Sequence, residues 1–320
     1  MSSLSTIQEA IAPDLEKLNR RILQQLQSDN PLMETVVETY LRTKGKQIRP
    51  IIVILVAKLL GSVQERVMAA AAAVELLHNA SLIHDDVVDN SSMRRGLPTI
   101  NAIWDNHIAV LVGDFFVSSA MQQAISTGDI RIIESLCHLG KLLSLGELDQ
   151  IYNARSHSLT EESYFRIIEH KTASLFVACA KMGAYSVGAS RDDVDAVAEY
   201  ARLLGLAFQI RDDILDYSTS DKIGKPAGND LREGKITLPL LNALLTSQAP
   251  EAPQMRRLAK KEQLSDSEIE ALMQFAINSG GIDYSRRCIA TLRAQGEALL
   301  AARFPENRAA ADLISIFDAL

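Results

Sequence analysis

The sequence predicts an all-α protein, a single domain over residues 1–320 folded as a bundle of roughly 10–14 helices. Apolar residues recur every three or four positions along nearly the whole chain, the period of an amphipathic helix. Sustained two-residue alternation bounded by hairpin turns does not occur in the sequence. The stretch Ser81-Leu82-Ile83-His84-Asp85-Asp86-Val87-Val88-Asp89 returns downstream as Phe208-Gln209-Ile210-Arg211-Asp212-Asp213-Ile214-Leu215-Asp216. Each copy closes a long apolar helical pattern, as a pseudo-duplicated bundle would arrange them.

In chain order, Ile7, Ile11, Leu15, Leu18, Ile22 and Leu26 mark one amphipathic helix that Asn30-Pro31 ends. A short helix to about Arg42 leads into the basic connector Lys44-Gly45-Lys46-Gln47-Ile48-Arg49-Pro50. Ile51 to Val56 has the β-branched composition of a strand. Pro50 at its start and Gly61 after its end favour a buried helix instead. Val63 to Asp89 predicts a long helix whose Ala69–Ala73 run lets a neighbour approach closely. After a polar loop over 90–98, helices are expected over 99–127, 129–153, 160–187 and 192–217. Residues 218–234 lose all hydrophobic periodicity, and so long a loop reads as a functional lid. Helices resume over 237–247, 253–262, 266–279, 281–303 and 309–319.

The composition is that of a soluble globular chain, with 47% hydrophobic and 23% charged residues. A net charge of -7 argues against a nucleic-acid binder, so a phosphate-bearing ligand needs local basic residues and bridging metal. Cys137, Cys179 and Cys288 form no CxxC pair and read as reduced core residues of a cytoplasmic protein. The N-terminus has no signal-peptide apolar segment, and the longest apolar run, Ile51 to Ala57, is too short to span a bilayer. Stable membrane insertion is not expected.

On a helix, carboxylates at i, i+1 and i+4 fall within an arc of about 100°. They repel one another there, and the dipole at a helix C-terminus disfavours anions further. Asp85, Asp86 and Asp89, like Asp212, Asp213 and Asp216, therefore call for cations. Hard oxygen ligands suit magnesium shared with substrate phosphates, and two such patches facing one another would cage a diphosphate. Lys44, Lys46 and Arg49 cluster before the third helix, Arg94 and Arg95 follow the first patch, and Lys171 lies beside Thr172. Lys222, Lys225 and Lys235 belong to the long loop. Any one of these could be a surface salt bridge; as two groups, forked Arg and mobile Lys fit two phosphorylated substrates.

This ordered set resembles the trans-prenyltransferases (isoprenyl diphosphate synthases), and within them most closely the long-chain octaprenyl diphosphate synthases. The matching pieces include Gly45-Lys46-Gln47-Ile48-Arg49-Pro50, Glu75-Leu76-Leu77-His78, both Asp motifs, Met93-Arg94-Arg95-Gly96, Val112-Gly113-Asp114-Phe115, Gly146-Glu147 and Lys171-Thr172-Ala173. Phe208-Gln209, Glu233-Gly234-Lys235 and Thr237-Leu238-Pro239-Leu240 complete them. The resemblance implies an isoprenoid synthase-type bundle that adds isopentenyl diphosphate to an allylic diphosphate such as farnesyl diphosphate. Magnesium, with manganese as a substitute, would be held by the six aspartates and act as Lewis acid on the leaving diphosphate. Arg94, Lys171, Lys225 and Lys235 would bind that group, and Thr172 and Gln209 would face the allylic cation. Lys46, Arg49, His78 and Arg95 would take isopentenyl diphosphate. The resemblance further implies a homodimer and product for the side chain of a respiratory quinone such as ubiquinone; so hydrophobic a product would be handed over at a membrane surface, though the sequence carries no basic amphipathic anchor.

Ala80 and Ser81, five and four residues before Asp85, stand about 6–7.5 Å below the metal site. The family's short-chain members resemble this site but carry bulky aromatics there, so small residues imply an open tunnel and a long product. Leu77, Val74 and Ala73 would line it deeper, with Phe115, Phe116 and Met121 on the next helix as walls or floor; ordinary core packing accounts for each equally well. His84 reads as structural, His138, His157 and His170 lack zinc spacing, and Trp104 reads as packing. Asp192, Asp193 and Asp195 read as helix-start charge. Arg211 departs from the family pattern by placing a positive charge beside the second motif, and Asn229 stands where Asp or Thr is usual. Rival readings are a shorter or longer product (geranylgeranyl, heptaprenyl, solanesyl), a non-catalytic partner subunit, and a terpene cyclase, which would not need Lys46, Arg49 and Arg95.

Overall fold

This computed structural model describes residues 3–41, 45–156, 160–218, 227–261 and 263–319. Its elements are α1 (Ser3–Ala10), α2 (Ala12–Gln25), α3 (Pro31–Leu41), α4 (Ile48–Leu60), α5 (Glu65–Val88), β1 (Met93–Arg94), β2 (Leu97–Pro98), α6 (Ile100–Ile103), α7 (Asn106–Ser126) and α8 (Ile130–Ser156). There follow α9 (Glu161–Ile168), a π-helical turn (Glu169–Ala173), α10 (Ser174–Ser186), α11 (Arg191–Leu215), α12 (Asn229–Arg232), α13 (Leu238–Thr246), α14 (Ala252–Leu258), α15 (Asp266–Asn278), α16 (Gly281–Arg303) and α17 (Arg308–Ser315). The protein is all-α, and its residues fall into two compact units. Residues 1–141, 175–201 and 297–319 make the first; residues 142–174 and 202–296 make the second.

In the first unit the expected opening helix is two. Pro13 has no N–H to return to the preceding turn, so the helix restarts with Ile11 as N-cap of α2. The apolar face survives the break, because Ile7, Ile11, Leu15, Leu18, Ile22 and Leu26 are all buried. In α4 the residues from Ile51 to Ala57 are buried on every side of the helix. That burial overrides the strand preference of isoleucine and valine. α5 is buried all round from Val67 to His78 and packs on α2, α4 and, most extensively, α7. The expected polar loop contains a minimal hairpin, with Arg95 (φ 52°) and Gly96 (φ 77°) in the left-handed region that a two-residue hairpin turn requires. The helix expected over 99–127 breaks at Asp105, whose side chain accepts the N–H of Ile108 and caps α7.

By length and composition α5 and α7 could each cross a membrane, and 83% of the apolar window of α5 and 44% of that of α7 are buried inside the protein. In the second unit Thr160 and Ser163 form a reciprocal capping box at the start of α9. α13 packs on α9, α14 and α15 around a core of Leu240, Ala243, Leu272 and Phe275.

Candidate active site

The first unit carries the first Asp motif on the last turn of α5, with Asp89 as its C-cap. Asp86 is buried and Asp85 half-buried, while Asp89 is exposed. The hairpin brings Arg94 onto Asp86. Its Nε donates to Oδ1 at 2.9 Å and to Oδ2 at 3.0 Å, and its Nη2 reaches Oδ1 at 2.7 Å. Arg94 thus forks a carboxylate of the motif itself. Arg95, at the turn, lays its guanidinium against Gly45, where an added Cβ would stand 2.6 Å from Nη1.

Arg49, Arg95 and His78, assigned from sequence to the second diphosphate, share one electrostatic neighbourhood. Burial, then the charges of Arg49, Arg95 and Arg94, hold the His78 imidazole well below its ordinary range, so it stays neutral. Burial raises the Glu75 carboxyl, and Arg49 and Arg95 oppose that rise. Lys46 is exposed on the same connector, which Gln8 and Asn19 pin by bonds to Lys46 O and to Gln47. Lys44 lies outside the described residues.

His84 points toward α7. Its Nε2 lies 3.2 Å from the Val110 carbonyl and 3.5 Å from Asp114 Oδ1, and a Cβ on Gly113 would collide with the ring at 2.1 Å. Gly113 is what lets the helix end that bears the Asp motif seat on α7. Ala73, Val74, Leu77 and Ala80 are buried along α5, and Ser81, half-buried, returns its hydroxyl to the His78 carbonyl. Phe116 is fully buried and Phe115 partly so. Met121 does not join them, because five residues along α7 turn it about 140° away from Phe116. It is 48% exposed, on the face that carries Leu111 and Ile125, so its reading as a tunnel wall is corrected.

The second unit carries the other predicted set. Lys171 and Thr172 ride on the π-helical turn, a widened helical turn of the kind found at functional sites. The backbone there lies so close to Gly146 that a Cβ would stand 2.8 Å from Lys171 N. Lys171 Nζ donates to Glu147 Oε2 at 2.5 Å and to Gln150 Oε1 at 3.2 Å. Thr172 donates to Gln209 Oε1 at 2.6 Å, and Gln209 Nε2 donates to Asp213 Oδ1 at 2.9 Å. Tyr164 completes this chain, donating to Asp213 Oδ2 at 2.5 Å.

Asp213 is 2% exposed. Burial pushes its carboxyl up to about 6 despite the bonds from Tyr164 and Gln209, with the charges of Asp212 and Asp216 adding to the rise. Asp216 accepts the backbone N–H groups of Asn229 and Asp230 at 3.0 and 3.1 Å, so it anchors α12. Asp230 is pushed up to about 8, by burial and then by Asp213 and Asp216. Lys235 pairs with Glu233, and its N–H bonds the Asp230 carbonyl at 2.8 Å. Lys222 and Lys225 lie outside the described residues.

A sequence profile for the family described as Polyprenyl synthetase matches residues 30–276. The chain belongs to the polyprenyl synthetase family. It is 37% identical over 297 residues to octaprenyl diphosphate synthase of Escherichia coli, covering 92% of this chain and 90% of that one. Heptaprenyl diphosphate synthase component 2 of Geobacillus stearothermophilus is 36% identical over 243 residues, 75% of this chain and 76% of its own. The crystal structure of polyprenyl synthase from Caulobacter crescentus, complexed with calcium and isoprenyl diphosphate, superposes with a TM-score of 0.92 at 34% identity over 99% of this chain and 97% of that one. This polyprenyl synthetase is accordingly an enzyme that transfers prenyl groups.

Among the described residues, no group of three or more His, Cys, Asp or Glu side chains is arranged to hold a metal ion by itself. The partners explain it: Asp86 is turned to Arg94, Asp212 to Arg211, Asp213 to Tyr164 and Gln209, and Asp216 to backbone N–H groups. The donor chemistry nonetheless fits a hard divalent cation. Asp213 and Asp230 are carboxyls whose ionisation burial opposes, and a nearby cation would relieve that opposition.

Sequence reasoning missed Tyr164, Asp230 and the roles of Glu75 and Glu147. A signal existed for two of them, since Glu75 and Glu147 stand inside the motifs that resemble the family's. Nothing in the spacing of Tyr164 to Asp213 marks them as partners.

Proposed function

We propose that the protein is a long-chain trans-polyprenyl diphosphate synthase of octaprenyl product length. It would add isopentenyl diphosphate units to farnesyl diphosphate, serving quinone side-chain synthesis in the cytoplasm. Family membership supports the reaction class, and the small Ala80 beside Ser81, one turn before Asp85, is the observation that supports a long product. In this reading Asp85, Asp86 and Asp89, with Asp212, Asp213 and Asp216, would hold magnesium serving the allylic diphosphate. When bound, the metal supplies neutralisation of the charge that develops on diphosphate as it leaves.

The chain's own side chains do the rest. Lys171 and Lys235 exchange their bonds to Glu147 and Glu233 for diphosphate oxygens, and Arg94 binds from beside Asp86. Thr172 and Gln209, hydrogen-bonded to each other, present oxygen dipoles toward the developing allylic cation. Lys46, Arg49, His78 and Arg95 hold isopentenyl diphosphate so that its double bond attacks the cation. The proton lost from the new chain goes to the departing diphosphate, so no dedicated protein base is required. The apolar helices keep water from quenching the cation.

A second reading, a subunit of a two-component enzyme, is favoured by the likeness to a heptaprenyl synthase component. The completeness of both Asp motifs favours catalysis by this chain. Leu111 at 67%, Met121 at 48% and Ile125 at 61% exposure make an apolar stripe on α7 that supports a homodimer. Sedimentation giving twice the 35.1 kDa chain mass would bear that out, and a monomer mass at working concentration would exclude it.

The deciding experiment incubates the protein with farnesyl diphosphate, labelled isopentenyl diphosphate and magnesium. The dephosphorylated products are expected as a ladder ending near eight isoprene units, and Ala80→Tyr should shorten it. Termination after one or two additions overturns the long-product reading. Absence of elongation by folded protein brings the subunit reading forward.

A further inference from the structure

The second Asp motif contains a cation of its own. Arg211 directly precedes Asp212, and its Nη2 lies 3.0 Å from Asp212 Oδ1. Successive residues on a helix point about 100° apart and do not face one another, so the guanidinium must reach round α11 to make this contact. Phe208, one turn earlier, supports it there, with Arg211 Cζ 5.4 Å from the ring centroid and over the ring. The Arg211 side chain is 21% exposed and that of Asp212 41%, so solvent shields the pair only in part. The other two carboxylates of the motif are engaged by uncharged donors, Tyr164 and Gln209 on Asp213 and backbone N–H groups on Asp216.

We propose that Arg211 is a resident counter-cation of the second Asp motif and competes with divalent metal for Asp212. The motif then takes metal weakly until a diphosphate arrives to share it. This rests on the reading of the motif as a metal–diphosphate site. A divalent ion displaces it only when the gain exceeds the loss of the Arg–carboxylate contact, and phosphate oxygens completing the ion's shell provide that gain. The guanidinium, once released, is free to stay over Phe208. The device would keep the site from filling with metal alone and tie metal uptake to arrival of substrate.

The test follows manganese by the loss of its free-ion paramagnetic resonance signal, with and without inorganic diphosphate. The proteins compared are wild type, Arg211→Gln, Arg211→Lys and Asp212→Asn, each checked by circular dichroism. Asp212→Asn identifies the part of the titration that belongs to this motif. Without diphosphate, Arg211→Gln should bind manganese about two- to fivefold more tightly than wild type, and Arg211→Lys, which keeps the charge, should stay near wild type. Added salt should narrow the gap, because it screens the pair. With diphosphate present the difference should shrink. Unchanged or weaker manganese binding in Arg211→Gln overturns the proposal, and weaker binding of diphosphate would make Arg211 a phosphate ligand instead. If Asp212→Asn weakens manganese while Arg211→Gln does nothing, this inference fails alone. If Asp212→Asn also changes nothing, the metal reading of the motif falls with it.

Discussion

Asp86 in the first motif is gripped by the guanidinium of Arg94, while Asp213, its counterpart in the second, is held by a tyrosine and a glutamine. The same Asp-Asp-x-x-Asp spacing is therefore stabilised in two ways. In the first unit Arg94 answers Asp86 directly, while the charges of Arg49 and Arg95 act on Glu75 and those of Arg49, Arg95 and Arg94 on His78. In the second, Asp213, Asp216 and Asp230 load one another with negative charge, and Lys171 and Lys235 are bound to glutamates. A spacing motif fixes which face the charges share. What answers them depends on what the fold packs opposite, a guanidinium on Asp86 and uncharged donors on Asp213.

The largest effect that could break this contrast is on stability. Arg94→Ala strands the buried Asp86 carboxylate and should cost about 3 kcal/mol in urea unfolding. A loss below about 1 kcal/mol would show that solvent, rather than Arg94, carries that charge.

The pH response should separate the two units next. Asp213 and Asp230 lie at about 6 and about 8 against an ordinary 3.8. Between pH 4 and 8 the folded chain therefore holds protons that the unfolded chain has released, and stability falls as pH rises through that window. His78 has the opposite sign. Its folded value is held below 6.5, the unfolded chain takes up the proton first, and stability falls as pH drops below about 6.5. Urea midpoints from pH 5 to 8.5 should lose the upper arm in Asp230→Asn and the lower arm in His78→Gln. Unaltered profiles would remove the electrostatic contrast.

The smallest effect sharpens it. Tyr164→Phe deletes one donor to Asp213 without changing the shape of the core, and should cost about 1 kcal/mol. A cost equal to that of Arg94→Ala would mean the two motifs are held alike after all.

Much of this was legible in the chain. Helical periodicity located α5 and α11 with both Asp motifs at their ends, because the pattern is local and repeats many times over. The basic residues beside the motifs were equally visible, and Arg49, Arg95 and His78 do share a neighbourhood. Other features were not readable. The break before α7 depends on one cap, Asp105, inside an otherwise continuous apolar pattern. The exposure of Met121 depends on which face of α7 the long α5 covers.

By itself the sequence determined the helical class, the placement of the carboxylates and the family, since each rests on residue types at short, fixed spacings. The helix that Pro50 and Gly61 favour over Ile51–Ala57 is present, and tertiary structure alone decided that Tyr164 meets Asp213 and that Lys171 meets Glu147. The reason is physical. Burial on every side overrides local strand preference, and a hydrogen bond between residues far apart in the chain leaves no period in the sequence from which to read it.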